Sequence, residues 1–223
     1  MRIKKVTLFT DELEKQKDFY SNILGFKIIK ENFEMFSIQV GWSILIFRSS
    51  LEKFYYHFAF LIPSNLLIEG KNWLENRLHL IDIGNESNIV KFETWNAESI
   101  YFYDAAGNVL EFIVRYDLKN NRSKIFDISN ILCVNEIGIP TNDVSQINSL
   151  LEQNFETYFW KGDLDRFAAN GSEEGLFLIP NIELKKVWFP TEVEIERSPF
   201  EIIFENNCKV FQFKYSNGEI LPL

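Results

Sequence analysis

KKVTLFTDELEKQKDFYSNILGF, residues 4–26, begins as a strand of alternating apolar residues and continues as an amphipathic helix. The same order recurs in YHFAFLIPSNLLIEGKNWLENRL, residues 56–78, and in NEIGIPTNDVSQINSLLEQNF, residues 135–155. When the alternating apolar positions are aligned, the three strands fall into one register, and each helix begins a few residues later. A strand and helix unit is therefore repeated along the chain.

Each helix is followed by strand-like stretches, and turn residues separate these stretches from one another. Gly41 supplies the turn in the first unit, DAAGN at residues 104–108 supplies it in the second, and GSEEG at residues 171–175 supplies it in the third. Each unit is therefore predicted to be β-α-β-β-β, and the fold class is α+β. The tail beyond the third unit is rich in predicted strands.

The domain boundary is predicted in YDLKNNRSK, residues 116–124, which is polar and has neither strand nor helix periodicity. We place it at roughly residues 117–125. Residues 1–117 would then form a first domain, in which the first two units pair their sheets around one concave face. Residues 126–223 would form a smaller, divergent domain.

The bulk composition indicates a globular protein without a nucleic-acid partner. Hydrophobic residues make up 46% of the chain, enough for a packed core, and the net charge is -9, with no cluster of Lys and Arg for phosphates. No apolar run approaches the ~20 residues of a membrane span. We expect a cytoplasmic protein without a membrane partner, and a homodimer stays an open alternative.

Three segments carry a resemblance to a known family. VTLFTDELEKQKDFYSNILGF, residues 6–26, resembles the opening strand, helix and FY…LGF element of the vicinal oxygen chelate superfamily, which includes glyoxalase I, bleomycin resistance proteins and extradiol ring-cleavage dioxygenases. YHFAFLIPS, residues 56–64, is similar to its HxAF strand, and YFYDAAGNVLEFI, residues 101–113, to its closing hairpin. The resemblance implies paired βαβββ modules that form a cupped mixed sheet with helices outside, plus a smaller divergent βαβββ-like C-terminal domain.

The resemblance also implies where metal ligands would lie. In the family they come from the first strand of each unit and from the last strand, four residues after the turn Gly. The second unit has His57 and Glu111 at these positions. The first unit has Lys5 and Leu45, and the third has Glu136 and Ile179. We expect His57 and Glu111 to be the metal-binding pair, and Glu136 to be a structural or solvated carboxylate.

Strand alternation predicts which side chains face the cavity, because every second residue of a strand points to the same side. By this rule Lys5 shares the concave face with His57 and Glu111, and its ammonium would compensate the charge of Glu111 in place of a metal. Packing alone is the competing explanation for the aromatic residues near these strands. The further predicted cavity residues are Thr7, Phe9, Trp42, Trp95, Tyr101 and Tyr103.

Two functions remain open after this step. The first is binding of a small, aromatic or apolar molecule in the cup of the N-terminal domain, beside a degenerate metal site. The alternative is a metal-dependent lyase or extradiol dioxygenase that uses Fe(II) or Mn(II) at His57 and Glu111, with the metal as a Lewis acid. We expect either no cofactor or a weakly held divalent metal, Fe, Mn, Zn or Ni, and no catalytic residue is assigned.

Overall fold

The computed structural model describes residues 1–84, 86–122 and 125–222, and these contain three modules of the predicted order. Module 1 consists of β1 (Arg2–Thr10), α1 (Leu13–Asp18) with a π-helical turn (Phe19–Ile23), β2 (Ile28–Asn32), β3 (Met35–Val40) and β4 (Ser43–Ser49). Module 2 consists of β5 (His57–Leu61), α2 (Leu67–Glu75), β6 (Val90–Phe92), β7 (Ala97–Tyr103) and β8 (Val109–Arg115). Module 3 consists of β9 (Cys133–Gly138), α3 (Val144–Phe155), β10 (Phe159–Asp163), β11 (Phe167–Ser172) and β12 (Gly175–Pro180). The tail forms a fourth unit of strands alone, β13 (Phe200–Asn206), β14 (Lys209–Ser216) and β15 (Glu219–Pro222).

The strands form two mixed sheets, as the α+β fold class with paired modules requires. The first sheet has seven strands in the order β15-β14-β13-β1-β4-β3-β2. The second has eight strands in the order β10-β11-β12-β9-β5-β8-β7-β6. In each sheet the opening strand of a module pairs in parallel with the closing strand of the same module. Within the described residues, no helix is both long and apolar enough to cross a membrane.

The pairing of modules differs from the expectation that the first two share one sheet, and that expectation is wrong. Strand β1 has β4 on one edge and β13 on the other, so no edge is left for β5. Strand β5 instead pairs with β9 of module 3. Both sheets thus take strands from each side of the boundary predicted at residues 117–125, of which Ser123 and Lys124 lie outside the described residues.

The core lies between the sheets and the helices, and it is built from the alternating residues that the repeat identified. Phe58 and Phe60 of β5 are buried in the same cluster as Leu110 and Phe112 of β8. The opposite face of these strands, which carries His57 and Glu111, is therefore left for the concave side of the sheet. We call the concave face of the eight-stranded sheet the cup.

A buried carboxylate fixes the turn that positions Glu111. Asp104 begins the turn between β7 and β8 and accepts hydrogen bonds from the backbone N–H groups of Ala106 and Asn108, both at 3.0 Å. It also accepts hydrogen bonds from Gln16 and Tyr20 of module 1. Gly107 has φ +85°, a left-handed conformation that glycine adopts without strain. The same turn therefore shapes the β7–β8 hairpin and joins it to module 1.

Residues 181–199 connect β12 of the eight-stranded sheet to β13 of the other sheet, and part of this connection lies over the cup. We call residues 181–199 the crossing segment. The ring of Trp188 packs on Gly138 of β9 so closely that a Cβ atom there would lie 2.6 Å from the ring. Trp188 also packs against His57, with ring centroids 4.8 Å apart. Glycine at position 138 therefore lets the crossing segment rest on the sheet.

Candidate functional site

The cup contains a cavity of about 180 Å³ between the eight-stranded sheet and the crossing segment. Its walls are mainly aromatic and apolar, and its polar side chains come from β5, β7, β8, β9 and the crossing segment. The lining residues are His57, Phe92, Trp95, Tyr101, Glu111, Ile113, Glu136, Phe167, Leu178, Lys185, Trp188 and Phe189. Concave, mostly apolar spaces with a few converging polar groups are typical of small-molecule sites.

Three titratable side chains meet in the cavity, and we call them the polar cluster: His57, Glu111 and Glu136. They come from three adjacent strands, since β5 lies between β8 and β9. One ligand atom from each lies within 4.8 Å of the other two, and all three residues are buried. The imidazole Nε2 of His57 is 3.6 Å from Oε2 of Glu111, which is longer than a hydrogen bond.

The backbone fixes the proton position on His57. Its Nδ1 lies 2.9 Å from the carbonyl oxygen of Val109, so Nδ1 must carry the donated proton. The lone pair of Nε2 is then left facing the two carboxyl groups. Burial lowers the pKa of His57 to about 4, and the positive charge of Lys185 acts in the same direction. His57 is therefore neutral at neutral pH.

Glu111 is a carboxyl group in surroundings that disfavour its charge. Burial, followed by repulsion from Glu136, raises the pKa of Glu111 to about 8. The hydroxyl of Ser99 donates a hydrogen bond to Oε1 of Glu111, and a hydrogen bond from Tyr101 acts with it to oppose the increase. Glu111 therefore holds a proton at neutral pH unless a positive charge enters the cavity.

Glu136 has a buried cationic partner. The guanidinium of Arg115, whose side chain is 0% exposed, donates a hydrogen bond through Nη2 to Oε1 of Glu136 and another through Nε to Oδ1 of Asn135. The rings of Trp95 and Trp160 lie 5.8 Å and 5.2 Å from the guanidinium carbon. Burial still raises the pKa of Glu136, although Arg115 opposes this effect.

Because Arg115 is paired with Glu136, the ionisation of Glu111 decides whether the polar cluster carries a further negative charge. The polar cluster can hold or release one proton, or it can bind a cation. It can also donate and accept hydrogen bonds to one polar end of a ligand. The surrounding rings favour a flat apolar body for the rest of that ligand.

The structure brings four of the predicted residues together. His57, Glu111, Trp95 and Tyr101 all line the cavity of the cup. Tyr101 lies directly opposite Glu111 in the β7–β8 ladder, and its ring lies 6.3 Å from that of His57.

The other predicted cavity residues lie elsewhere, and for them the expectation is wrong. Lys5 and Thr7 are on β1 in the seven-stranded sheet, where they line a separate small cavity with Glu201 and Gln212. The backbone N–H of Phe9, on the same strand, donates to the hydroxyl of Tyr56. The reason is the module pairing: β1 and β5 are equivalent strands in different sheets.

Trp42 and Tyr103 also lie outside the cavity. Trp42 packs against a separate cluster that contains Ala59 and Leu132. Tyr103 is 40% exposed and lines a surface depression beside Tyr55. Trp42 lies in the turn between β3 and β4 of the seven-stranded sheet, and Tyr103 is the last residue of β7.

Three charged residues of the site were missed or undervalued from the sequence. Glu136 occupies the position equivalent to His57, but the sequence predicts a structural or solvated role for it because its unit contains no His. Arg115 follows Glu111 by four residues on the same strand, so alternation was enough to place it on the concave face. Lys185 lies in the irregular crossing segment, where no sequence periodicity indicates which way a side chain points.

Comparisons with known proteins agree with this fold. The family model described as Glyoxalase/Bleomycin resistance protein/Dioxygenase superfamily matches residues 2–61, which comprise module 1 and β5. The resemblance predicted from the sequence is thereby confirmed. A sequence comparison with curated proteins finds no match.

Two solved structures share most of the fold. A protein from Bacillus subtilis provisionally described as a dioxygenase superposes with a TM-score of 0.63 and 14% identity, over 99% of this chain and 83% of that chain. A variant of glyoxalase I from Zea mays superposes with a TM-score of 0.53 and 11% identity, over 80% of this chain and 66% of that chain. At such low identity these likenesses show the fold alone.

Proposed function

We propose that the protein binds a small, flat, largely apolar molecule in the cup, and that the polar cluster holds one polar group of that molecule. The observation that carries the proposal is the convergence of three buried titratable side chains in a cavity with aromatic walls. The sequence predicts this binding site in the cup of the N-terminal domain, and we propose instead that it lies between modules 2 and 3, whose strands supply the polar cluster.

The size of the cavity supports a ligand with one ring. A dry protein cavity of roughly 150 Å³ is enough to bind benzene, and the cup offers about 180 Å³. Trp95 and Trp188 lie on its walls, and His57 and Glu111 present a hydrogen-bond acceptor and a donor at neutral pH. A ring with one hydroxyl group satisfies both the walls and the cluster.

Titration calorimetry with phenol tests this proposal. We expect binding by the parent protein and at least about a tenfold loss, or ~1.4 kcal/mol, in Leu178→Trp, because the larger ring fills the cavity. The matched control is Ile203→Trp, which changes a residue that lines the small cavity of the seven-stranded sheet. Unchanged binding in a folded Leu178→Trp variant, or loss of binding in the control, contradicts the proposal.

The second candidate is metal-dependent chemistry, and the proton position on His57 favours it. An imidazole that donates from Nδ1 to a backbone carbonyl keeps Nε2 free as a metal ligand. Glu111 and Glu136 add two oxygen donors, so three donors are present rather than the two expected from the sequence. A divalent ion bound there would supply Lewis-acid polarisation of oxygens on the ligand.

Two features weaken this second candidate. Arg115 already compensates the charge of Glu136, and a fixed cation beside a metal site opposes metal binding. Leu178 of β12, which also lines the cavity, adds no donor atom. The residues therefore fit a divalent ion in donor type and number, but with a competing positive charge.

Metal content separates the two candidates. We expect less than one Fe, Mn, Zn or Ni ion per chain in protein purified without chelators and measured by elemental analysis. About one tightly held ion per chain, lost in His57→Ala and in Glu136→Gln but kept in Glu201→Gln, would favour the metal-dependent enzyme. The three variants separate loss of a ligand from a general loss of negative charge.

A further inference from the structure

Phe189 of the crossing segment lies at the mouth of the cup. Among the described residues that line the cavity it alone is exposed, at 49%, whereas His57 and Glu111 of the polar cluster are 5% and 2% exposed. Its ring packs edge-on against Tyr101, with ring centroids 6.1 Å apart. A ligand whose polar group reaches the polar cluster therefore has its opposite end near Phe189.

A second, more open space borders the cup at Phe189, and we call it the outer groove. Its volume is about 640 Å³. The residues that line it are Ile83, Glu86, Ser87, Ile89, Val90, Lys91 and Phe189. Ile83, Ile89 and Val90 are half-buried, whereas Glu86 and Lys91 are exposed. The outer groove therefore presents an apolar surface directly outside the mouth of the cup.

Strand β6 joins the two spaces. Val90 lines the outer groove, and Phe92, two residues later, lines the cup. Residues two apart in a strand point to the same face and lie roughly 7 Å from each other. Both side chains also pack against the cluster that contains Tyr101 and Trp188. The apolar surface is therefore continuous from the cup into the outer groove.

A different space also borders Phe189, and its lining is charged. Its charged side chains belong to Asp82, Arg166, Lys185, Lys186 and Glu192. An apolar group placed there would take charged groups out of water, which costs free energy, whereas the outer groove offers aliphatic side chains instead. An apolar extension of the ligand is therefore favoured in the outer groove.

We propose that the ligand of the cup is a phenol with an unbranched alkyl chain opposite its hydroxyl group, and that this chain passes Phe189 and lies in the outer groove on Ile83, Ile89 and Val90. This inference rests on the proposed function and names its ligand class. Exposed side chains change rotamer within nanoseconds, so the ring of Phe189 can turn to let the chain pass. Each fully buried CH₂ group strengthens binding by about three- to fourfold, so a chain in the groove adds affinity.

Phenol, 4-butylphenol and 2-butylphenol test where the chain lies. The two butylphenols have the same composition and differ in the position from which the chain leaves the ring. Titration calorimetry on the full chain is expected to give 4-butylphenol at least about tenfold higher affinity than phenol, because its chain reaches the outer groove. We expect 2-butylphenol to bind no more tightly than phenol, because its chain would begin beside the buried polar cluster.

Variants of the two neighbouring spaces locate the chain. Val90→Glu places a charge in the outer groove, and we expect it to reduce 4-butylphenol affinity about tenfold, to the level of phenol, and to change phenol affinity by less than about twofold. Ile83→Glu changes a groove residue outside the strands and is expected to act in the same way, so it replaces Val90→Glu if that variant does not fold. Leu184→Glu is the control, since Leu184 is exposed and lines the charged space but not the outer groove.

The outcomes separate this inference from the proposed function. If phenol binds and 4-butylphenol binds no more tightly, the chain has no place in the groove, and the binding function stands. If both butylphenols gain equally, the gain is general hydrophobicity and the inference is wrong. If Leu184→Glu weakens 4-butylphenol as much as the groove variant does, the assignment to the outer groove is overturned. If none of the three phenols binds to the folded parent protein, both the inference and the proposed function are wrong.

Discussion

The two sheets of this protein repeat one arrangement with different results. In the eight-stranded sheet, Ala59 of β5 lies opposite Glu136 of β9, and in the seven-stranded sheet Thr7 of β1 lies opposite Glu201 of β13. Each glutamate faces an arginine from the closing strand of a module. Arg115 and Glu136 are buried, with side chains 0% and 3% exposed, whereas Arg48 and Glu201 are 48% and 29% exposed and 3.7 Å apart.

The difference teaches that burial, rather than the residue pattern, creates the site. The cup has the crossing segment over it, with Trp188 resting on the sheet. The corresponding face of the seven-stranded sheet lines a cavity of about 160 Å³ beside Lys5 and Gln212, and its lining residues all belong to the strands β1, β13 and β14. We therefore expect the Arg–Glu pair to matter greatly for stability in the eight-stranded sheet and very little in the seven-stranded sheet.

The largest expected effect comes from removing the arginine of each pair. Arg115→Met leaves a buried carboxylate without its cation, and we expect the free energy of unfolding to fall by about 3–5 kcal/mol. Arg48→Met removes an exposed partner, and we expect a loss of less than about 1 kcal/mol. Urea unfolding of both variants measures the difference. Equal losses would show that the two sheets are not distinguished by burial.

The second largest effect is expected in the pH dependence of the free energy of unfolding. The pKa of Glu111 rises from 4.5 to about 8 in the folded protein, so its stabilising contribution is complete below pH 4.5 and is lost as the pH rises through 8. Between pH 6.5 and 8 we expect the parent to lose about 2 kcal/mol relative to Glu111→Gln, which keeps the neutral form.

This measurement avoids the opposite effect of His57. The pKa of that imidazole falls from 6.5 to about 4, so its contribution is lost as the pH drops below 6.5. Urea unfolding at pH 6.5 and at higher pH therefore isolates Glu111. Glu201→Gln in the seven-stranded sheet is the control, and we expect its difference from the parent to be independent of pH in this range. If the difference in unfolding free energy between Glu111→Gln and the parent does not change with pH, the raised pKa of Glu111 is contradicted.

A smaller effect is expected from Gly138→Ala, which tests how the crossing segment rests on the cup. The added methyl group would lie 2.6 Å from the ring of Trp188, so the ring must move away from the sheet. We expect a loss of about 1–2 kcal/mol in the free energy of unfolding, typical of an overpacked contact. In a Trp188→Phe background the same change should cost clearly less. Equal costs in both backgrounds would place the strain elsewhere.

The smallest expected effect concerns Lys5→His. Sequence register aligns Lys5 with His57, and a histidine at position 5 would add a second imidazole to the metal donors if the two strands lay in one sheet. Because Lys5 lies in the other sheet, we now expect no change in Mn(II) or Fe(II) affinity by titration calorimetry. A tenfold increase would mean that β1 contributes to the cup after all.

Much of the fold was predictable because it depends on local patterns. Alternation in β5 and β8 assigned Phe58, Phe60, Leu110 and Phe112 to the core, and the turn chemistry of residues 104–108 identified the hairpin that presents Glu111. These features depend only on residues that are near each other in the sequence.

The pairing of modules was not predictable in the same way, and the site follows from it. Which strand takes the free edge of β5 depends on long-range contacts, because β9 and a strand of module 1 carry equivalent apolar patterns. Because β9 pairs with β5, Glu136 lies beside His57, whereas Lys5 lies in the other sheet. Lys185 and Trp188 were missed for a different reason, since an irregular segment has no period from which a direction can be inferred.

The most direct test of the central claim, that the cup of modules 2 and 3 is the binding site, is a crystal structure with 4-bromophenol, located by the anomalous signal of bromine. We predict one peak in the cup, with the ring between the side chains of Trp95 and Trp188 and the hydroxyl beside the polar cluster. A peak on the seven-stranded sheet beside Lys5 and Gln212, with none in the cup, would contradict the account.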